Sequence, residues 1–128
     1  MKCAMPVLVV EDSYLIAASL EDALVEAGHR VVLAGSVAEA EAAIAAAAAS
    51  DDRFCAALLD YVLPDGDSLA LARQLHADGC KVAVVSGADR DVVPLDGAIA
   101  ALFSKPTDDR EVIAWVCTAA LGDRSRAA

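Results

Sequence analysis

Four mostly apolar runs of this chain each end on a residue capable of ionic or hydrogen-bonding chemistry. Val7-Leu8-Val9-Val10 runs into Glu11-Asp12, and Cys55-Ala56-Ala57-Leu58-Leu59 runs into Asp60. Val82-Ala83-Val84-Val85 runs into Ser86, and Ala101-Leu102-Phe103-Ser104 runs into Lys105. Three carboxylates, a hydroxyl and an ammonium in one cleft make a coherent chemical set. Crowded carboxylates repel, and a divalent cation held among them relieves the repulsion. Oxygen-only ligands with retained waters suit Mg²⁺. A carboxylate is also a nucleophile that can form an aspartyl phosphate. A metal, an ammonium and a hydroxyl donor stabilise the charge on a transferring phosphoryl group. A single acid after a strand is commonplace; the whole ordered set at corresponding positions is not.

These residues meet only if the four runs are neighbouring strands that point the same way. The rest of the sequence supplies that arrangement. Apolar strand-length runs alternate with helical patterns, the signature of a parallel sheet covered on both faces. After Val7–Val10, residues Ile16, Leu20, Ala23, Leu24 and Ala27 recur at helical spacing, and Gly28 follows as a stop. Arg30 to Ala34 reads as a second strand. Ser36-Val37-Ala38-Glu39 is a capping box that opens a helix through the alanines to about Ala49. Asp60 to Asp67, with Pro64 and Gly66, reads as a loop. Ser68 to Ala77 reads as a helix ended by Gly79, and Thr107 to about Leu121 as the last helix. Between them Gly87, Pro94 and Gly97 leave room only for a shortened or irregular fourth helix.

The expected fold is therefore α/β, a flavodoxin-like, doubly wound, five-stranded parallel sheet of order 2-1-3-4-5 built from five βα units. Right-handed crossovers put helices on both faces, and the ligand site lies beyond the C-terminal strand ends. Residues 1–128 form one domain, with a core over about 5–121 and a frayed tail over 122–128.

Composition sets the outer limits. The chain has 128 residues and is 58% hydrophobic, which suffices for one real core and excludes wholesale disorder. Thirty residues are alanine, so the domain is helix-rich. A formal net charge of −10 argues against a nucleic-acid partner. No stretch is long and apolar enough for membrane insertion, and no leader peptide is evident, so a cytoplasmic location is expected. Cys3, Cys55, Cys80 and Cys117 show no CxxC spacing and read as small reduced core residues.

The ordered set Val7-Leu8-Val9-Val10-Glu11-Asp12, Leu58-Leu59-Asp60, Leu63-Pro64-Asp65-Gly66 and Ser104-Lys105-Pro106 resembles the receiver domain of bacterial two-component response regulators. The resemblance spans nearly the whole chain and points to the stand-alone, single-domain type. It implies that Asp60 accepts a phosphoryl group from a histidine kinase or phosphotransfer protein. It implies that Mg²⁺ is held by Glu11, Asp12, Asp60 and the backbone carbonyl of Val62. Lys105 would pair with phosphoryl oxygens, and Ser86 would take the hydroxyl position that moves toward the phosphate. The product would be a signalling switch that assists its own phosphorylation and dephosphorylation, acting on a downstream protein target. The alternatives are a flavodoxin-like ligand-binding module, whose phosphate cradle the acidic first loop lacks; an aspartate-nucleophile phosphatase of small molecules, which normally has a second acid two residues after the nucleophile, where Val62 stands; and a receiver fragment of a hybrid kinase.

Four further positions have modulating or interaction roles in this reading: Tyr61 and Ala88 beside the pocket, Leu102, and Trp115. Family members carry an aromatic residue where Leu102 stands; Phe103 follows one residue later, on the opposite face, and reads as core. Trp115 lies on the flank of the last helix's apolar face, either against a neighbouring helix or as an anchor for a partner. The sharp reversal needed to turn Lys105 over the acids calls for a cis Lys105–Pro106 bond.

Overall fold

The computed structural model describes residues 6–87, 93, 94 and 96–127, with 121–127 as backbone only. The strands are β1 (Val7–Val10), β2 (Val31–Ala34), β3 (Ala56–Asp60), β4 (Val62–Leu63), β5 (Gly66–Asp67), β6 (Lys81–Gly87) and β7 (Ala101–Lys105). The helices are α1 (Tyr14–Glu26), α2 (Val37–Ala49), α3 (Leu69–Ala77) and α4 (Asp109–Ala127). Five strands form one parallel sheet in the order β2-β1-β3-β6-β7. With the short β4 and β5 set aside, this is the 2-1-3-4-5 order expected from the sequence.

Strand alternation divides the core in two. Leu8 and Val10 of β1, Ala57 and Leu59 of β3, and Val82 and Val84 of β6 face one side, where they meet Ala40 and Ile44 of α2 and Leu71, Ala72 and Leu75 of α3. Val7, Val9, Ala56, Leu58 and Ala83 face the other, against Leu20 and Leu24 of α1 and Val112 and Val116 of α4. Every residue of β1 and β3 is buried, which is why those strands read as unbroken apolar runs. Each buried Leu or Val contributes on the order of 2 kcal/mol of transfer free energy.

The segment read as a loop over 60–67 holds more structure than expected. Val62 pairs with Asp67 and Leu63 with Gly66, making a small antiparallel hairpin. Pro64 and Asp65 form its tip; the two-residue strands are too short to leave a periodic signal. The last helix starts at Asp109, and its backbone continues to Ala127, past the expected end near Leu121. A single Gly122 costs only about 1 kcal/mol in a helix, and no proline follows to break it. Cys55 and Cys80 are buried as expected, whereas Cys117 is exposed on α4, with its sulfur 3.5 Å from His29 Nε2. Helical rotation puts it on the outer face of α4, one step past the buried Val116. Cys3 and Ala88 lie outside the described residues. So does most of the expected shortened helix; residues 93, 94 and 96–100 contain only a turn at Gly97-Ala98.

Three helices end in the same way. After α1, Gly28 N–H donates to the Val25 carbonyl and His29 N–H to that of Leu24. After α3, Gly79 and Cys80 donate to His76 and Leu75 in the same pattern, and after α2, Asp51 and Asp52 donate to Ala48 and Ala47. The pattern requires a left-handed residue at its centre. Gly28 and Gly79 supply it at φ of 99° and 90°, but Asp51 is forced to 57°. Asp51→Gly is therefore expected to raise the unfolding free energy by roughly 0.5–1 kcal/mol, read from urea denaturation; a loss of stability would show that the Asp51 side chain supports the turn.

Candidate functional site

Parallel pairing brings the C-terminal ends of β1, β3, β6 and β7 to one edge. Glu11 follows β1, and its N–H is held at 2.9 Å by the Ala34 carbonyl. Asp60 ends β3, with Tyr61 N–H at 2.9 Å from the Val85 carbonyl of β6. Glu11 and Asp60 are 5% and 4% exposed, while Asp12 is exposed. One carboxylate oxygen from each of the three acids lies within 4.8 Å of the others.

Lys105 comes from two strands away. Its Cα pairs with Gly87 of β6, which has no side chain in the way. From there the ammonium reaches Asp60 Oδ2 at 3.0 Å and Glu11 Oε1 at 3.2 Å. The Lys105–Pro106 peptide is cis, as the sequence led us to expect. The other oxygen of Glu11 accepts the Ser13 N–H at 3.0 Å, and Ser13 also caps α1. This ties the acid to the start of the helix.

Among the described residues, one cation among three acids leaves the site short of positive charge. Burial pushes the Asp60 carboxyl up, the neighbouring Glu11 adds to the rise, and Lys105 only partly opposes it, so that Asp60 titrates near 7. Burial also raises Glu11, but hydrogen bonds from Asp60, the Ser13 amide and Lys105 outweigh it and hold Glu11 below its ordinary value. The pair therefore shares a proton near neutrality. Burial disfavours the Lys105 ammonium, yet its bonds to Asp60 and Glu11 win and raise its pKa. The donor set fits a hard divalent cation: all its ligands are oxygen, two of the acids are buried, and added positive charge would take the place of the shared proton.

A groove of about 690 Å³ leads out from Glu11, Asp60 and Lys105 between α1 and α4. Leu15, 80% exposed, stands at its mouth. The buried Asp60 is thus approachable from outside.

The other expected positions distribute as follows. Ser86 is buried in β6, one residue beyond Val85, the register partner of Asp60. Tyr61 is half-buried against the α2–α3 side of the core. Val62 is largely exposed and belongs to the hairpin. Leu102 is exposed at 56% on β7, while Phe103 turns inward, as alternation requires. Trp115 packs on the core cluster shared by α1, α4 and the sheet. It is half-buried with its ring edge-on to Phe103, centroids 6.4 Å apart at 79°, a favoured aromatic geometry. Asp65, part of the Leu63-Pro64-Asp65-Gly66 motif, has no role assigned from the sequence; from the hairpin tip its two oxygens accept the Val37 and Ala38 amides at 2.9 and 3.0 Å.

No family model matches the sequence, and no curated protein matches it. Solved structures do. A response regulator receiver domain protein from Methanospirillum hungatei superposes with a TM-score of 0.80 at 22% identity, over 97% of this chain and 99% of that one. A receiver domain from Methylobacillus flagellatus gives 0.72 at 24% identity, over 91% and 99%. A sensor protein from Polaromonas gives 0.74 at 25% identity, over 92% and 97%.

The chain has the receiver-domain fold.

In this receiver fold the acid cluster occupies the strand-end cleft where an open α/β sheet binds its ligand. Among the described residues, no helix is long and apolar enough to cross a membrane.

The raised Asp60 has a signed consequence. Its folded pKa near 7 exceeds the ordinary 3.8, so the folded state binds the extra proton between those values. Asp60 therefore favours folding at low pH and loses that contribution as pH rises through 7. Glu11, lowered, acts only below about its ordinary 4.5 and in the opposite sense. In chelator-treated protein, Asp60→Asn should raise the melting temperature by about 5 °C at pH 8 and by little at pH 5, checked by thermal scans at both values. Equal effects at the two pH values would contradict the shared proton.

Proposed function

We propose that this protein is a phosphorylatable receiver of a two-component phosphorelay. The observation that carries the reading is Lys105 bridging Asp60 and Glu11, at 3.0 and 3.2 Å, within a cluster of three acids on a receiver fold. Asp60 is the phosphoacceptor. A histidine kinase or phosphotransfer protein presents a phosphohistidine. One oxygen of Asp60 attacks phosphorus, the P–N bond breaks, and the imidazole leaves, so that one phosphoryl group moves from nitrogen to oxygen.

The residues divide the work by position. Lys105 already lies within hydrogen-bond reach of the acceptor oxygen, so its ammonium can turn to a phosphoryl oxygen without leaving the cleft. The hydroxyl of Ser86, just beyond the position opposite Asp60, is the neutral donor for a second phosphoryl oxygen. Glu11, Asp12, Asp60 and the Val62 carbonyl would hold Mg²⁺. Bound there, the ion offsets negative charge on the acids and on the transferring group. Glu11, anchored by Ser13 N–H, keeps its carboxylate aimed into the cleft through both states.

The chain is a switch in this reading: it changes its own charge and then its protein contacts, and its only chemistry is on itself. The acidic surface, the absence of a membrane-length helix among the described residues, and the fold together support a cytoplasmic protein that meets other proteins. Tyr61 borders the acceptor and modulates donor access, and Leu102 is the exposed apolar position of β7 available to a target.

The reading is tested by intact-mass measurement after incubation with acetyl phosphate and Mg²⁺. A single phosphoryl adduct is expected on the native chain and none on Asp60→Asn. Lys105→Gln should slow adduct formation about a hundredfold, the scale of losing one charge-stabilising donor. An adduct of undiminished yield on Asp60→Asn would overturn the assignment.

A further inference from the structure

The β4–β5 hairpin that follows Asp60 is fastened at both ends. At its base, Tyr61 N–H binds the Val85 carbonyl and Ser68 N–H binds the Tyr61 carbonyl, both at 2.9 Å. Asp67 Oδ1 accepts the Leu69 N–H at 3.0 Å, joining the base to α3. At its tip, both oxygens of Asp65 are spent on the amides of Val37 and Ala38. These are first-turn N–H groups of α2, which have no partner inside the helix. That helix already has its own caps: Ser36 Oγ takes the Glu39 N–H, and Glu39 Oε1 takes the Gly35 N–H. Asp65 takes the two amides they leave. The carboxyl of Asp65 is held below its ordinary range by these two backbone donors, so the contact is made by the ionised form.

We infer that Asp65 is a positioning residue: by gripping Val37 and Ala38 it anchors the hairpin tip to α2 and so fixes Tyr61 and Val62 beside Asp60. The inference rests on the proposed site, because it assigns the Val62 carbonyl to the metal. A two-residue hairpin has too few ladder bonds to hold its own shape. With the tip free, the segment keeps its base hydrogen bonds and the buried Leu63 side chain, but loses the polar tie that sets the course of the backbone through Val62. The acids would remain in place, being set by β1 and β3. The expected loss is therefore in metal affinity, with the chemistry intact once metal is saturating.

Three variants separate the clamp from simple charge. Asp65→Ala removes both grip and charge. Asp65→Asn removes the charge but keeps one acceptor oxygen. Val37→Pro keeps the charge and deletes one of the two donors. Val37 is the first residue of α2, where proline is tolerated, and Ser36 before it is already extended at φ −158° and ψ 169°. For each variant, Mg²⁺ is titrated by the rise in melting temperature and by the rate of adduct formation from acetyl phosphate. Hydrogen exchange is followed over residues 61–67.

Asp65→Ala should raise the half-saturating Mg²⁺ about tenfold, the scale seen when a partner behind a metal ligand is lost. The rate at saturating Mg²⁺ should be unchanged. Val37→Pro and Asp65→Asn should fall between Asp65→Ala and the native chain, exchange over 61–67 should speed up in the same order, and the shifts should persist in 0.5 M KCl. Native Mg²⁺ dependence in all three variants would overturn the inference. So would an effect of Asp65→Ala that vanishes in high salt and is absent from Val37→Pro, since that is screened charge alone. If the native chain itself shows no response to Mg²⁺, the proposed metal site fails. The clamp is then judged by exchange over 61–67, and unchanged exchange in Asp65→Ala rejects it.

Discussion

The structure turns on one ammonium placed between two buried carboxylates. Asp60 and Glu11 stand at the ends of strands with no polar neighbours along their length, where an unpaired charge is expensive to bury. Lys105 makes the pair tenable, but among the described residues its single positive charge faces three acids. The imbalance appears as a proton retained by the pair near neutrality. A site built this way favours anything that brings positive charge to it or takes up negative charge beside the lysine.

Most of the fold serves to bring that lysine home. Lys105 is on β7, Asp60 on β3 and Glu11 after β1, and β6 lies between β3 and β7. The contact exists only if four parallel strands keep their register, because a slip of one residue would turn the acids or the lysine toward the opposite face. Register in turn is held by the alternation that divides the core. Leu8 and Val10 must face α2 and α3, while Val7 and Val9 face α1 and α4. The abundant alanines have a role here. Ala40 and Ala72 are fully buried, allowing α2 and α3 to lie close on the sheet. The acid edge is thus positioned by packing far from it.

The strand order, the cleft and the acid-lysine set were legible in the sequence because each is a long-period pattern: apolar runs of strand length, each ended by one polar residue. What escaped was short or depended on a distant partner. The β4–β5 hairpin has two residues per strand, too few to show alternation, and its Pro64 and Gly66 read simply as loop. Asp65 sits in a turn motif where aspartate is ordinary, and nothing local tells that its oxygens reach α2, twenty-seven and twenty-eight positions away. The run of α4 past Gly122 escaped because a glycine is a statistical stop and only a proline is a steric one. Cys117 was misplaced for a related reason: its apolar neighbours Trp115 and Val116 face inward, and a helix turns the next residue away.

The placing of the aromatics bears on how a change at Asp60 reaches the surface. Phe103 lies two residues before Lys105 on β7, turned inward, with its ring meeting the edge of Trp115 on α4. Leu102, its neighbour, is the one that faces out. A half-buried ring packed edge-to-face against a second ring and against the α1–α4 core loses both contacts if it swings away. A displacement of Lys105 along β7 would therefore be felt by α4 through the Phe103–Trp115 contact as movement of a packed unit. At the outer face the moving group is aliphatic, and Leu102 can shift its exposure without breaking any hydrogen bond. The strand that supplies the lysine thus has a packed aromatic contact on its inner side and an exposed aliphatic one on its outer side, and a movement of Lys105 would reach the two faces in different forms.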